Sequence, residues 1–281
     1  MKRRKFHYLL GSIAIVAVLI GVNTHQESPA ASPSFTPRDY TEIRESGYLR
    51  AVTEYNRLSF HAGKDTLVGF DLEILQKFAH EKGLKLEVTP EMSYQQRIKG
   101  LQEGRYDLIA TGTVVTSSQK DSLLFTHPLL LSKQVLVQRK KEEGKDSLYI
   151  DNQLELAHKT LHIVSHSPAL IRIHNLINEI ADTIYVCEID KYGPEQLLAM
   201  VSEGEIDYAV CDESLAQASI KDYPNLDISK SISFTQFYAW GIGKHSPILY
   251  DTLNVWLEQY LKTPSYQKIY KKYFCLLYTS P

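Results

Sequence analysis

An α/β chain of two similar lobes, hinged about a central cleft, is the architecture this sequence predicts, and three observations predict it. From Gly47 onward, short β-rich runs alternate with amphipathic helical runs, the pattern of helices layered on a mostly parallel sheet. The phrase EGRYDLIA at Glu103–Ala110 returns as EGEIDYAV at Glu203–Val210, each time closing a helix and opening a strand. Between the two copies a polar stretch, KKEEGKDS at Lys140–Ser147, gives the chain a place to leave the first lobe.

The run LRAVT, Leu49–Thr53, is the first expected strand. A helix follows over FDLEILQKFAHEKG, where Asp71 can cap, Leu72, Leu75, Phe78 and Ala79 form one apolar stripe, and Gly83 ends the last turn. LEVT is the second strand, SYQQRIKGLQEG a helix capped by Ser93 and stopped by Gly104, and YDLIATG the third strand. The second half repeats the scheme. SPALIRIHNLINEIAD begins with Ser167 as its cap and Pro168 at the first helical position, and carries a stripe of Leu170, Ile173, Ile177 and Ile180. Strand IYVCEI, helix GPEQLLAMVSEG and strand IDYAVCD come next, then the strand FYAWGIGK and two helices, SPILYDTLNVWLEQYLKT and PSYQKIYKKYF, expected to return to the first lobe. The expected boundaries are 45–139 for lobe 1, 140–232 for lobe 2 and 233–274 for the return. The last residues, CLLYTSP at 275–281, break from the Lys-rich segment before them and read as a non-native tail.

The 281 residues are 43% hydrophobic and 23% charged, with a net charge of -2, which suits a globular protein and gives no basic footprint for nucleic acid. Lys2, Arg3, Arg4 and Lys5 precede an uncharged run from Tyr8 to Val22, shorter than the roughly 20 residues of a comfortable membrane span. With the polar stretch SPAASPSFTP behind it, the segment 1–34 reads as a signal peptide, or as an uncleaved anchor to the inner membrane, followed by a linker. The compartment expected is the periplasm. Three cysteines are too few for a disulfide framework, and Cys187 and Cys211, each in a strand-like run, are read as small buried hydrophobes, with a bridge between them as the lesser alternative.

The phrases GFDLEILQKFAHEKGLKLEV, LQEGRYDLIATGTVVT and FTHPLLLSKQVLVQRK resemble the first lobe of the family 3 solute-binding proteins, receptors for polar amino acids. Within that family, AWGIGKHSPILYDTLNVWL, EIADTIYV and VLVQRK are most similar to the solute-binding domain of membrane-bound lytic transglycosylase F, in which a separate peptidoglycan-cleaving domain follows. The resemblance covers roughly Gly47 to Phe274, so the chain ends where that catalytic domain is expected to begin. It implies a type II periplasmic binding fold. It also implies a site: Thr111, Gly112, Thr113 and Thr116 fall on the cleft-lining segment after the third strand, Asp212 on the carboxylate that accepts a ligand ammonium, and Ser167 on the helix start that meets a ligand carboxylate. The carboxylate-clamping Arg of the family falls on Gln119, so the bidentate clamp is missing and a cell-wall fragment gains weight as ligand beside an amino acid. Tyr55 and Phe60 are aromatic candidates for the cleft wall.

Other signals carry less. His158, His162 and His166 are spaced for a helix face, but KTLHIV between them reads as a strand, so no metal is expected. Glu213–Ser214 has the letters of the transglycosylase Glu-Ser pair without its surroundings, and no phosphate loop or nucleophile elbow occurs. The sequence therefore predicts a monomeric binding module without cofactor or catalytic residues, for transport or sensing, with a membrane permease or peptidoglycan as further partner. The alternative is the regulatory binding domain of a truncated membrane-bound lytic murein transglycosylase.

Overall fold

The computed structural model describes residues 35–141 and 148–274. The basic N-terminus, the run Tyr8–Val22, most of the polar stretch after Lys140, and Cys275 with the tail lie outside the described residues.

The first lobe opens with a short helix, α1 (Tyr40–Ser46), capped by Asp39 and ended by Gly47, and the strand β1 (Tyr48–Thr53). A hairpin of β2 (His61–Ala62) and β3 (Leu67–Val68) leads to α2 (Phe70–Glu81). Then come β4 (Lys85–Pro90), α3 (Tyr94–Gln102), β5 (Leu108–Val114), the one-turn α4 (Ser117–Lys120), β6 (Leu123–Phe125) and β7 (Leu130–Ser132). The second lobe holds β8 (Gln134–Arg139), β9 (Thr160–Val164), α5 (Ala169–Ile180), β10 (Tyr185–Ile189), α6 (Pro194–Glu203), β11 (Ala209–Asp212), α7 (Glu213–Ser219) and β12 (Leu226–Asp227). The chain then re-enters the first lobe as β13 (Gln236–Gly243), α8 (Pro247–Tyr260) and α9 (Pro264–Phe274).

Both sheets follow one plan. In the first, β4, β1 and β5 are parallel and β13 closes the row antiparallel to β5, with β6 and β7 beyond it. In the second, β10, β9 and β11 are parallel and β8 closes the row antiparallel to β11, with β12 beyond. Each sheet therefore takes its antiparallel strand from a segment that has just crossed over from the other lobe. The crossings run side by side at Lys133 and near Ser233, tied by Gln134 N donating to Ser233 Oγ at 2.9 Å and Ile232 N donating to Gln134 O at 2.7 Å.

The first crossing corrects the expected boundary: QVLVQR belongs to the second sheet, so the chain leaves lobe 1 at Lys133 and not after Arg139. A buried strand with apolar residues on both faces fits either sheet, and only its pairing with β11 decides. Helix termini hold two further corrections. Asp71 caps nothing, because Gly69 is at the cap position and the buried Asp71 carboxylate accepts from Trp240 Nε1 at 2.7 Å. Ser167 makes no side-chain cap either, since the helix begins one residue later with Pro168 at the cap.

The apolar stripe of α2 packs as its spacing requires, whereas in α5 only Ile173 of the expected stripe is fully buried and Leu170, Ile177 and Ile180 are half-buried at its edge. Leu72, Leu75, Phe78 and Ala79 are all buried under the first sheet, with Phe78 against the Trp256 ring of α8 at 5.3 Å. Ile173 and Leu176 of α5 sit fully buried against Leu161 and Ile163 of β9. Cys211 is buried and Cys187 half-buried, and both are free thiols. No helix among the described residues is long and apolar enough to cross a membrane.

Candidate functional site

The C-terminal ends of β1, β5, β9 and β11 converge on one cavity, where open α/β sheets place their ligands. It is partly open to solvent. Lobe 1 contributes Glu54, just past β1, the β5 segment Thr111–Val114, and Tyr94 and Arg97 from α3; lobe 2 contributes Val210–Asp212, the starts of α5 and α6 at Ser167–Ala169 and Pro194, and Gln134 beside the first crossing.

Asp212 ends β11 directly opposite Gln134 of β8, so the two side chains enter the cavity as neighbours. Its Oδ1 accepts from the Tyr238 hydroxyl at 2.5 Å, a bond from a β13 residue of lobe 1 to a β11 residue of lobe 2. Burial pushes the Asp212 pKa up to about 7; the Tyr238 bond opposes this and the nearby Glu54 charge adds to it. The Tyr238 phenol is itself pushed far up by burial and by Asp212. Beneath the cavity floor, burial raises the Asp71 pKa to about 6 against hydrogen bonds from Trp240, from Ser59 and from the backbone N–H of Gly112. Thr111 Oγ1 and Ser59 Oγ share a hydrogen bond at 2.8 Å, and Thr113 Oγ1 donates to Thr111 O at 3.3 Å.

Arg97 is the one cationic side chain among the lining residues, and its guanidinium is already engaged. Nη2 lies 3.1 Å from Glu54 Oε2, while Nη1 donates to the carbonyls of Glu91 at 2.7 Å and Met92 at 3.0 Å. Across the cavity mouth Arg57 of lobe 1 pairs with Glu195 at 3.1 Å and with Asp222, both of lobe 2. The lobes are thus closed on each other through charged side chains at the rim and a Tyr–Asp bond at the floor.

Of the site residues expected from sequence, the structure brings Thr111, Gly112, Thr113, Ser167 and Asp212 to this cavity. It does not bring the other four. Tyr55 and Phe60 stack edge-on against each other at 6.3 Å, with Tyr55 exposed and Phe60 buried, because Asn56 and Phe60 pair through their backbones and turn the loop back on itself. Thr116 caps α4, its hydroxyl accepting from Gln119 N at 3.3 Å and donating to Gln119 Oε1 at 2.9 Å, which holds both away from the lining. Sequence reasoning missed Glu54, Tyr94, Arg97 and Gln134. The position of Glu54 immediately after a strand was the one available signal, since strand ends face the cleft. His158 and His166 flank β9 with positive φ, His162 Nδ1 lies 3.1 Å from Tyr208 O, and no metal-holding cluster occurs among the described residues.

The model of bacterial extracellular solute-binding proteins, family 3, matches residues 49–275. The chain belongs to that family. It is 25% identical over 274 residues to membrane-bound lytic murein transglycosylase F of Photobacterium profundum, covering 96% of this chain and 50% of that protein. It is 27% identical over 235 residues to the namesake from Desulfosudis oleivorans, covering 83% and 50%. The chain spans about half the length of the curated relatives it matches. Among solved structures, an ancestral arginine-binding protein bound to arginine superposes with a TM-score of 0.70 at 26% identity, covering 81% of this chain and 98% of that one. An arginine-binding protein of T. maritima superposes with a TM-score of 0.73 at 23% identity, covering 84% and 98%, and so shares the fold.

Proposed function

We propose that this solute-binding protein is a periplasmic receptor that closes its lobes on an amino acid or a cell-wall fragment, for transport or sensing, and performs no chemistry on it. The observation that carries this reading is the cavity itself, in which strand ends from two like-built sheets present polar side chains, while the neighbouring contacts between lobes can form only when the cleft shuts. Ligand passes on to a membrane permease, and the N-terminal segment directs export or holds the protein at the inner membrane. The half-length match to relatives named lytic transglycosylase F supports a second reading, in which this unit is the regulatory binding domain of such an enzyme.

Calorimetric titration with the amino acids and with purified muropeptides tests the receptor, coupled to solution scattering with and without the solute that binds. The expected result is saturable binding with a more compact profile. Absence of both for every solute would overturn the proposal. The same chain incubated with intact peptidoglycan is expected to release no soluble fragments, and release that disappears in Glu213→Gln would make it an enzyme in its own right.

A further inference from the structure

The Tyr238–Asp212 bond joins the lobes through an acid that meets no cation. Among the described residues no ion pair ends on Asp212: Arg97 of α3 holds Glu54, Lys133 at the crossing holds Glu213 of α7, and Arg57 holds Glu195 of α6. What else faces Asp212 is neutral or negative. The β13 strand of lobe 1 brings the Tyr238 hydroxyl at 2.5 Å, β8 brings the uncharged Gln134, and its own strand adds the Cys211 thiol. Glu54, past the end of β1, adds a like charge, and Asp71 of α2 lines the same chamber below. Glu54 also reaches across the cleft: a Cβ on Gly193, at the start of α6 in lobe 2, would stand 3.4 Å from its Oε1.

Closure therefore carries an ionised Asp212 out of water and up to a second carboxylate, and both changes disfavour its charged form. The protonated acid is better served. Gln134 Oε1 is a buried acceptor to which nothing in the protein donates, on a residue only 3% exposed. Gln134 stands directly opposite Asp212 on the antiparallel pair, where facing side chains are about 5 Å apart at Cβ. A carboxyl O–H on Asp212 is a donor on the right face for that oxygen, while Oδ1 keeps the Tyr238 bond. With the lobes shut the Asp212 pKa is about 7, raised by burial, and with the lobes apart the carboxylate returns to water and to its ordinary value near 3.8.

We infer that shutting the cleft takes up one proton on Asp212, so that the receptor without solute shuts more readily in acid than in alkaline surroundings. The inference rests on the receptor reading above and adds to it a regulation of the same cleft by pH. The shut form binds the proton more tightly, so the gain in closure is complete below about pH 3.8 and is lost as pH rises through about 7. From about pH 8.5 down to about pH 5.5 the shut-to-open ratio is expected to rise about 30-fold. Asp71 does not share this coupling, because it is 2% exposed and bonds Trp240 within lobe 1. His61 of the β2–β3 hairpin is a rival at the rim, where burial lowers its pKa and the charges of Glu195 and Arg57 oppose each other on it.

The test is solution scattering of the full chain without solute across that pH range, for wild type and for Arg57→Ala, which loosens the rim and brings the open form within reach. At least one of these two is expected to expand as pH rises. In that background Asp212→Asn, which keeps an oxygen for Tyr238 and cannot ionise, is expected to hold the low-pH dimensions throughout, and His61→Gln to leave the response as it was. Tyr238→Phe removes the bond that holds the Asp212 pKa down, so it is expected to move the midpoint of the response to higher pH, and it serves if Asp212→Asn fails to fold. A response that survives Asp212→Asn, or that His61→Gln abolishes, would overturn the inference, as would dimensions independent of pH in both backgrounds. Compaction by a solute at one fixed pH would still stand in each of those cases and keep the receptor reading, which falls only with that compaction.

Discussion

The phrase EG-x-x-D occurs once in each lobe, and its two copies have unlike surroundings. In lobe 1, Asp107 is fully buried and holds two guanidiniums, Arg38 at 2.6 Å and Arg50 at 2.8 Å, with Arg50 N donating as well. In lobe 2, Asp207 stands half in solvent and holds Arg139 alone. The glycines differ in the same way. Both have positive φ, but a Cβ on Gly104 would sit 2.2 Å from the Thr36 carbonyl carbon, whereas on Gly204 it would come no nearer than 3.8 Å to Arg139 Nη1. Lobe 1 has covered its copy with the segment that leads into α1, and lobe 2 has left its copy open. A shared helix-to-strand turn can therefore be a surface capping device in one lobe and a buried anchor in the other.

Substitution at the paired positions sharpens this contrast. Asp107→Ala leaves two arginines facing a site from which their carboxylate is gone, and is expected to cost about 3–5 kcal/mol in chemical denaturation. Asp207→Ala is expected to cost under about 1 kcal/mol. Equal costs would break the comparison. Gly104→Ala combines left-handed strain with a backbone clash and is expected to cost about 2–4 kcal/mol, against about 1–2 kcal/mol for Gly204→Ala, where strain acts alone.

The buried carboxylates give a smaller and pH-dependent pair, Asp71 in lobe 1 and Asp212 in lobe 2. Each has a folded pKa raised above its ordinary value near 3.8, to about 6 and about 7. Each therefore contributes stability that is complete below about pH 3.8 and is lost as pH rises through its folded value. Asp212→Asn is expected to melt like wild type at pH 4 and a few degrees higher at pH 8, because the amide keeps an oxygen for Tyr238 without the buried charge. Asp71→Asn is expected to melt lower at both, since one amide oxygen cannot serve Trp240, Ser59 and Gly112 together. A higher melting point for Asp71→Asn at pH 8 would erase the distinction.

Much of this architecture was legible in the sequence because it depends on local rules. The buried stripe of α2, the Ser93 cap and the stops at Gly104 and Gly204 follow from spacing and backbone conformation alone. What stayed hidden depends on partners far along the chain. Asp71 reads as a cap until Trp240, 169 residues on, takes its oxygen. Gln134 reads as an ordinary strand start until β11 arrives beside it with Asp212. The site residues carried over by resemblance split along the same line. Those on β5 and β11 reach the cavity because strand ends must, while Thr116 and Gln119 satisfy each other within a four-residue turn.

Arg57 joins the lobes through side chains that water reaches, its own 47% exposed and that of Asp222 44%. Charges so placed are screened over a Debye length of about 8 Å at 0.15 M salt and about 3 Å at 1 M. The fraction of unliganded molecules that rest shut is then a property of the surrounding medium as much as of the protein. A solute that binds only the shut form has an apparent dissociation constant equal to its intrinsic one divided by that fraction. Dilute surroundings are expected to raise that fraction and saline ones to lower it, so one exposed arginine ties the closure of the two lobes to ionic strength.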